Sequence, residues 1–325
     1  MKTNAIMVHK IGGPEEMLWE EVDVPAPSEN EVLIKQTVIG LNFIDTYFRS
    51  GLYPANLPTP LGMEAAGIIE QVGANVSEFK EGDRVAYATA PLGSYSERRV
   101  MPPNNVVKIP DDISDEIAAA IMLKGMTAEY LVRRTFEVKS GQTVLFHAAA
   151  GGVGLIACQW LKAIGANVIG TVGSEEKAKL AKENGCDHTV LYKEENFVEK
   201  VKEITNGEGV PVVYDSVGKD TAIHGLDCLS PLGLLVIFGN SSGNAPAIEP
   251  GLLAAKGSLY VTRPTLFSYN STREKLIDSA EQVFNMVRQN KISIRIGAKY
   301  ELKDAVQAHK DLENRKTTGS ILLMP

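Results

Sequence analysis

The residues best suited to chemistry are the small ones in Phe146-His147-Ala148-Ala149-Ala150-Gly151-Gly152-Val153-Gly154. Glycines let the backbone pass close to a ligand, and a glycine turn that opens a helix offers unpaired N–H groups and the positive end of the helix dipole to phosphate. Between a strand and a helix, such a run is a pyrophosphate cradle, with Ala150, Gly151, Gly152, Val153 and Gly154 around the ligand. It departs from Gly-x-Gly-x-x-Gly at Ala149, which takes the first glycine place; a glycine-rich turn alone also serves purely conformational ends. About 20 residues further on, an NAD-selecting protein carries Asp or Glu to bond the ribose 2′-hydroxyl. Here that place holds Gly173-Ser174, with Lys177 one helical turn on. A carboxylate would repel a 2′-phosphate, whereas a hydroxyl and an ammonium accept it, so NADPH is the expected cofactor. Glu175 and Glu176 suit the first turn of a helix and need not touch the ribose.

Those residues require a strand, a turn, a helix and a second strand. Residues 143–146 read as a buried strand, 155–164 are apolar at helical spacing up to Gly165, and 167–172 follow at the distance of a right-handed crossover. Further strands are expected at 188–191, 210–214, 233–238 and 258–261, making six that alternate with helices. Before about residue 120 the texture is short β-type segments broken by Gly and Pro, such as 31–35 and 83–88. After about 268, helices over 272–289 and 303–313 precede a last strand at 320–323. The expected fold is α/β, with a Rossmann-type doubly wound parallel sheet over 123–268 inserted into a β-rich substrate domain over 1–122 that 269–325 completes. A cleft between the two is expected.

At 325 residues, two domains are the natural number. A formal charge of −7 counts against nucleic acid or an anionic membrane as a principal partner. Cys158, Cys186 and Cys228 are far apart in sequence and form neither a disulfide framework nor a metal knuckle. The first residues lack the apolar stretch of a signal peptide and no run reaches membrane-spanning length, so the cytoplasm is expected.

The segments from Gly40 to Tyr53, from Leu61 to Gly67 and from His147 to Gly154 together resemble the zinc-independent quinone oxidoreductases of the medium-chain dehydrogenase/reductase superfamily, the zeta-crystallin group. The likeness continues through Tyr214-Asp215-Ser216-Val217-Gly218, the run from Phe238 to Gly243, and that from Gly257 to Pro264. It implies a GroES-like β domain, NADPH as cofactor, a small-molecule quinone as acceptor, and a homodimer paired through Rossmann edge strands. It also implies that Tyr192 joins Gly173, Ser174 and Lys177 at the 2′-phosphate. Thr127, Ser216, Phe238, Gly239, Asn240, Ser241 and Arg263 would line the rest of the cofactor groove, and Asn42, Asp45, Tyr47 and Tyr53 would frame nicotinamide and acceptor. A tyrosine there could hydrogen-bond a developing phenolate, or the two tyrosines could be walls while water supplies the proton. Zinc-dependent relatives carry Cys at the place of Asn42 and His at the place of Met63, so no metal is expected. His147, ending a core strand, is expected to pack and hydrogen-bond rather than catalyse. Two rival readings remain: an NADPH-dependent reductase of enones or enoyl thioesters, and a nucleotide- or RNA-binding protein with incidental activity.

Overall fold

The change of texture near residue 120 is a change of architecture. The computed structural model describes residues 1–325 and divides into two units. The first comprises Met1–Lys124, Thr272–Arg288 and Ile294–Pro325, and the second Gly125–Ser271 and Gln289–Ser293. The joins read from the sequence were 122/123 and 268/269, and that reading did not separate 289–293.

The first unit begins with β1 (Lys2–Val8), β2 (Met17–Asp23), β3 (Val32–Leu41), α1 (Phe43–Ser50), β4 (Thr59–Pro60), β5 (Glu64–Val72), β6 (Arg84–Ala88), β7 (Arg98–Met101), β8 (Val107–Lys108) and α2 (Asp115–Tyr130), which runs on into the second unit. The β texture before residue 120 gave no sign of α1. Asn42, extended at φ −131° and ψ 153°, forms its N-cap, Asp45 stands at N3, and Gly51 closes it at φ +81°. Cap, reciprocal N3 acid and left-handed glycine are local helix signals that outweigh the strand-rich surroundings.

The second unit contains β9 (Thr143–Phe146), α3 (Gly152–Ile164), β10 (Asn167–Val172), α4 (Glu175–Glu183), β11 (His188–Leu191), α5 (Phe197–Ile204), β12 (Val210–Asp215), α6 (Ala222–Gly225), β13 (Leu229–Ile237), α7 (Pro250–Ala255), β14 (Tyr260–Thr262) and α8 (Leu266–Tyr269). All six strands are parallel, in the order β11-β10-β9-β12-β13-β14. The order reverses between β9 and β12, and in such sheets ligands bind beyond the carboxyl ends at that point. Leu145, Ile169, Val213 and Leu235 fill the core beneath it. β14 starts later than the sequence suggested because Ser258 takes φ +55°, which a strand ladder does not accommodate.

The chain then returns to the first unit through α9 (Arg273–Arg288), β15 (Ile296–Glu301), α10 (Ala305–Glu313) and β16 (Ser320–Met324). β16 pairs antiparallel with β3, Leu322 opposite Gly40, and β3 pairs with β5, Gly40 opposite Glu64. The C-terminal strand therefore braces the strand that delivers Asn42. Ile6, Ile34, Ile39, Leu41, Tyr87, Ile321 and Leu323 pack the interior of this unit.

Candidate functional site

In the second unit the loop after β9 turns back on itself through Ala148, a non-glycine at φ +55°. Gly151 caps α3 without any side-chain hydrogen bond, so no side chain caps the amides of Gly152 and Val153 at the helix N-terminus, an arrangement that suits an anion. At Gly154 a Cβ would meet the carbonyl oxygens of Ala148 and Ala149, so only glycine lets helix and loop approach this closely. The alanine in the first glycine place is also explained. Its methyl lies where a side chain on β10 would clash, 2.6 Å from an ideal Cβ at residue 170, and residue 170 is glycine.

At the end of β10, Gly173 has neither a positive φ nor a crowded Cβ direction; its nearest neighbours there are Tyr192 Cε1 at 3.6 Å and Lys193 Cε at 3.9 Å. Ser174 is the N-cap of α4 and accepts the Lys177 backbone N–H at 3.4 Å. One turn of helix thus gathers Gly173, Ser174 and Lys177, with Tyr192 alongside.

Beyond β12, the buried Asp215 accepts the N–H groups of Val217 at 2.7 Å and Gly218 at 3.0 Å and the Thr221 hydroxyl at 2.7 Å. This bends the chain at Ser216, whose carbonyl accepts the Ser241 N–H at 3.2 Å. A Cβ on Gly239 would stand 2.6 Å from that carbonyl, so the loop with Phe238, Gly239, Asn240 and Ser241 lies directly on the Ser216 turn. Thr127 on α2 is buried. Close to it Tyr130, which the sequence reading did not single out, stacks on Tyr269 with ring centres 4.5 Å apart and planes 12° apart. Burial raises the Tyr130 phenol while Arg263 opposes that rise, so Arg263 belongs to the same neighbourhood.

His147 packs as expected, with Nδ1 2.9 Å from the Thr171 hydroxyl and its ring edge-on to Phe197. Burial lowers its basicity. Cys158 and Cys186, 28 positions apart, bring their sulfurs within 3.5 Å as buried free thiols. The Cys158 thiol is raised well above its ordinary value, first by the hydrogen bond to Cys186 and then by burial, so it is poorly nucleophilic.

In the first unit Asn42, Asp45, Tyr47 and Tyr53 are brought together by α1 and the turn that follows it. Tyr47 and Tyr53 meet edge to face at 5.2 Å, and the Tyr53 N–H bonds the Tyr47 carbonyl at 3.0 Å. The Asn42 amide donates to Glu64 Oε2 at 2.7 Å, an oxygen that also meets Lys124 Nζ at 3.2 Å, while Glu64 Oε1 accepts the Leu123 N–H at 2.6 Å. Asp45 is completely buried; its Oδ2 accepts the Asn42 N–H and the Tyr95 hydroxyl, both at 2.9 Å. Burial raises Asp45 to about 7 against the pull of those two hydrogen bonds. Glu64, Lys124, Tyr95 and His309 are the members that sequence reasoning missed. They lie 22 to 260 positions from the groups they bond, and no local pattern marks them.

Two family models match the chain: the alcohol dehydrogenase GroES-like domain over residues 28–111 and zinc-binding dehydrogenase over 152–282. The zinc in the second description does not fit the residues present. No three His, Cys, Asp or Glu side chains gather as a ligand set, and the Glu64 carboxylate is engaged by Asn42, Leu123 and the Lys124 ammonium. A quinone oxidoreductase of Pseudomonas aeruginosa is 53% identical over 97% of this chain and 97% of its own length. A 2-haloacrylate reductase of a Burkholderia species is 44% identical over 99% and 98% respectively. The crystal structure of Escherichia coli quinone oxidoreductase complexed with NADPH superposes with a TM-score of 0.97 at 50% identity, covering 99% of this chain and all of that one. With a glycine cradle at the sheet's switch point, a GroES-like unit beside it in the sequence and full-length likeness to these proteins, the chain belongs to the zinc-independent quinone oxidoreductase family of the medium-chain dehydrogenase/reductase superfamily.

Proposed function

We propose that this protein reduces quinones with NADPH by direct hydride transfer, without a metal. The observation that carries the reading is the pairing of an α3 N-terminus that no side chain caps with Gly173, not an acid, at the end of β10. The amides at Gly152 and Val153 suit a pyrophosphate, and Ser174, Lys177 and Tyr192 suit a 2′-phosphate. Thr127, Ala150, Ser216, Phe238, Gly239, Asn240, Ser241 and Arg263 line the remaining groove. When bound, NADPH supplies the hydride, which an electron-poor quinone accepts without a Lewis acid. Asn42, Tyr47 and Tyr53 position nicotinamide and acceptor; a tyrosine hydroxyl that hydrogen-bonds the developing phenolate lowers the barrier whether or not it also yields its proton.

The protein is proposed to work as a cytoplasmic homodimer. No helix is long and apolar enough to cross a membrane. The edge strand β14 exposes Tyr260 (60%) and Val261 (36%), an open apolar edge of the kind that pairs with a second copy.

The likeness to a 2-haloacrylate reductase favours a second reading, reduction of an activated alkene at the same cofactor site. Purified protein should oxidise NADPH faster with a simple quinone than with 2-haloacrylate, an alkenal or an enoyl thioester. The reverse ranking would replace the first reading with the second.

A further inference from the structure

The first unit buries Asp45 in a row of polar side chains, to the rest of which the function above gives no task. Arg49 of α1 donates from Nη1 to His309 Nδ1 at 2.9 Å and holds Glu313 with two bonds of 2.7 and 3.1 Å. His309 Nε2 lies 3.0 Å from the Tyr95 oxygen, which lies 2.9 Å from Asp45 Oδ2. Arg49, Tyr95, Asp45 and His309 are each no more than 2% exposed.

Counting protons fixes the direction of this row. A guanidinium has donors only, so His309 Nδ1 must accept. Burial and the Arg49 charge lower His309 to about 3, so its single ring proton sits on Nε2 and is donated to Tyr95. The phenol proton is then left for Asp45. The Asp45 oxygen that receives it also accepts the Asn42 N–H at 2.9 Å, while Oδ1 is buried without a partner.

We propose that Arg49, His309 and Tyr95 are positioning residues for hydride transfer: their one-way hydrogen-bond chain holds Asp45 as the carboxylate that fixes Asn42 and the first turn of α1. This rests on the reading of Asn42 and Tyr47 as the frame for nicotinamide and acceptor. The other groups acting on Asp45 are Lys124 of α2, which favours the carboxylate, and Glu64 of β5, which opposes it. Burial leaves the group titrating at about 7, so the loss of a single donor moves it through the neutral range.

Tyr95→Phe removes one oxygen and keeps the ring. By ¹³C NMR of aspartate carboxyls, with Asp45→Asn for assignment, the Asp45 midpoint should rise by about one pH unit, because a hydrogen bond to the charged form is lost. His309→Leu should move it the same way. His309→Gln, which can accept from Arg49 and donate to Tyr95 through one amide, should return it toward the wild type. For a shift from about 7 to about 8, kcat with a quinone falls about eightfold at pH 6.5 and recovers by about pH 9, while KM for NADPH stays put. An unmoved carboxyl titration in Tyr95→Phe, or a loss of kcat equal at every pH and tracking only the melting temperature, would overturn the proposal. If wild-type protein reduces no quinone, the function falls, and the carboxyl titrations still decide the chain.

Discussion

Replacing Gly173 by Asp should turn the cofactor preference from NADPH toward NADH. The backbone there is not left-handed, and the atoms nearest a new Cβ are Tyr192 Cε1 at 3.6 Å and Oη at 3.7 Å and Lys193 Cε at 3.9 Å, which is ordinary contact, so the fold should carry the change. For a carboxylate at this point and a 2′-phosphate held by Ser174 and Lys177, taken as about 5 Å apart, Coulomb energy is about 0.8 kcal/mol per pair of unit charges in water and about 3 kcal/mol at an effective dielectric constant of 20. Gly173 is half-buried and Ser174 exposed, so the outcome lies between these limits. We expect NADPH to bind about 5- to 150-fold more weakly, corresponding to about 1–3 kcal/mol. NADH should gain modestly, since the carboxylate can accept from the free 2′-hydroxyl. Titrating the quenching of protein fluorescence with each nucleotide gives both dissociation constants, and a melting curve checks the fold. An equal loss for the two nucleotides, or an NADPH affinity that does not fall, would refute the assignment of this corner to the 2′-phosphate.

Lys177→Ala, at the same corner, should weaken NADPH binding much more than NADH binding; equal losses by the same titration would move Lys177 out of the site. Gly40→Ala forces a methyl against the Ala119 carbonyl and the Glu64 carboxylate; it should cost about 1–3 kcal/mol in urea unfolding, as overpacking does, and lower kcat by dislodging Glu64 from Asn42. A variant as stable and active as wild type would contradict that packing. Ala148→Gly relieves a non-glycine at φ +55° and should stabilise the protein by up to about 1 kcal/mol, the left-handed strain less the added freedom of the unfolded chain. Destabilisation would mean that the alanine methyl makes a compensating contact.

The sheet and the glycine turn after β9 were legible because their signals are local. A glycine at 154 is needed within its own turn, and the missing acid at 173 is a matter of one position. Even so, the alanine at 149 looked like a defect until Gly170, on the neighbouring strand, supplied the space for its methyl. The helix α1 was hidden by β-rich surroundings although Asn42, Asp45 and Gly51 carried its capping signals. The partners of Asn42 and Asp45 were not legible at all. Tyr95 and His309 are 214 positions apart and Lys124 is 60 from Glu64; they meet because β16 pairs with β3 and α10 belongs to the same unit, facts that no spacing rule contains. The same holds for Cys158 and Cys186, whose contact depends on a helix and a loop meeting across a strand.

The central claim is metal-free transfer of a hydride from NADPH to a quinone. Its most direct test is an anaerobic single-turnover reaction of metal-free protein, with NADPH deuterated at the transferred position and a simple quinone, followed by nicotinamide absorbance. The account predicts one quinone reduced per NADPH oxidised and a slower rate with deuterium than with hydrogen. Bound NADPH that no quinone oxidises, or oxidation that requires added zinc, would contradict it.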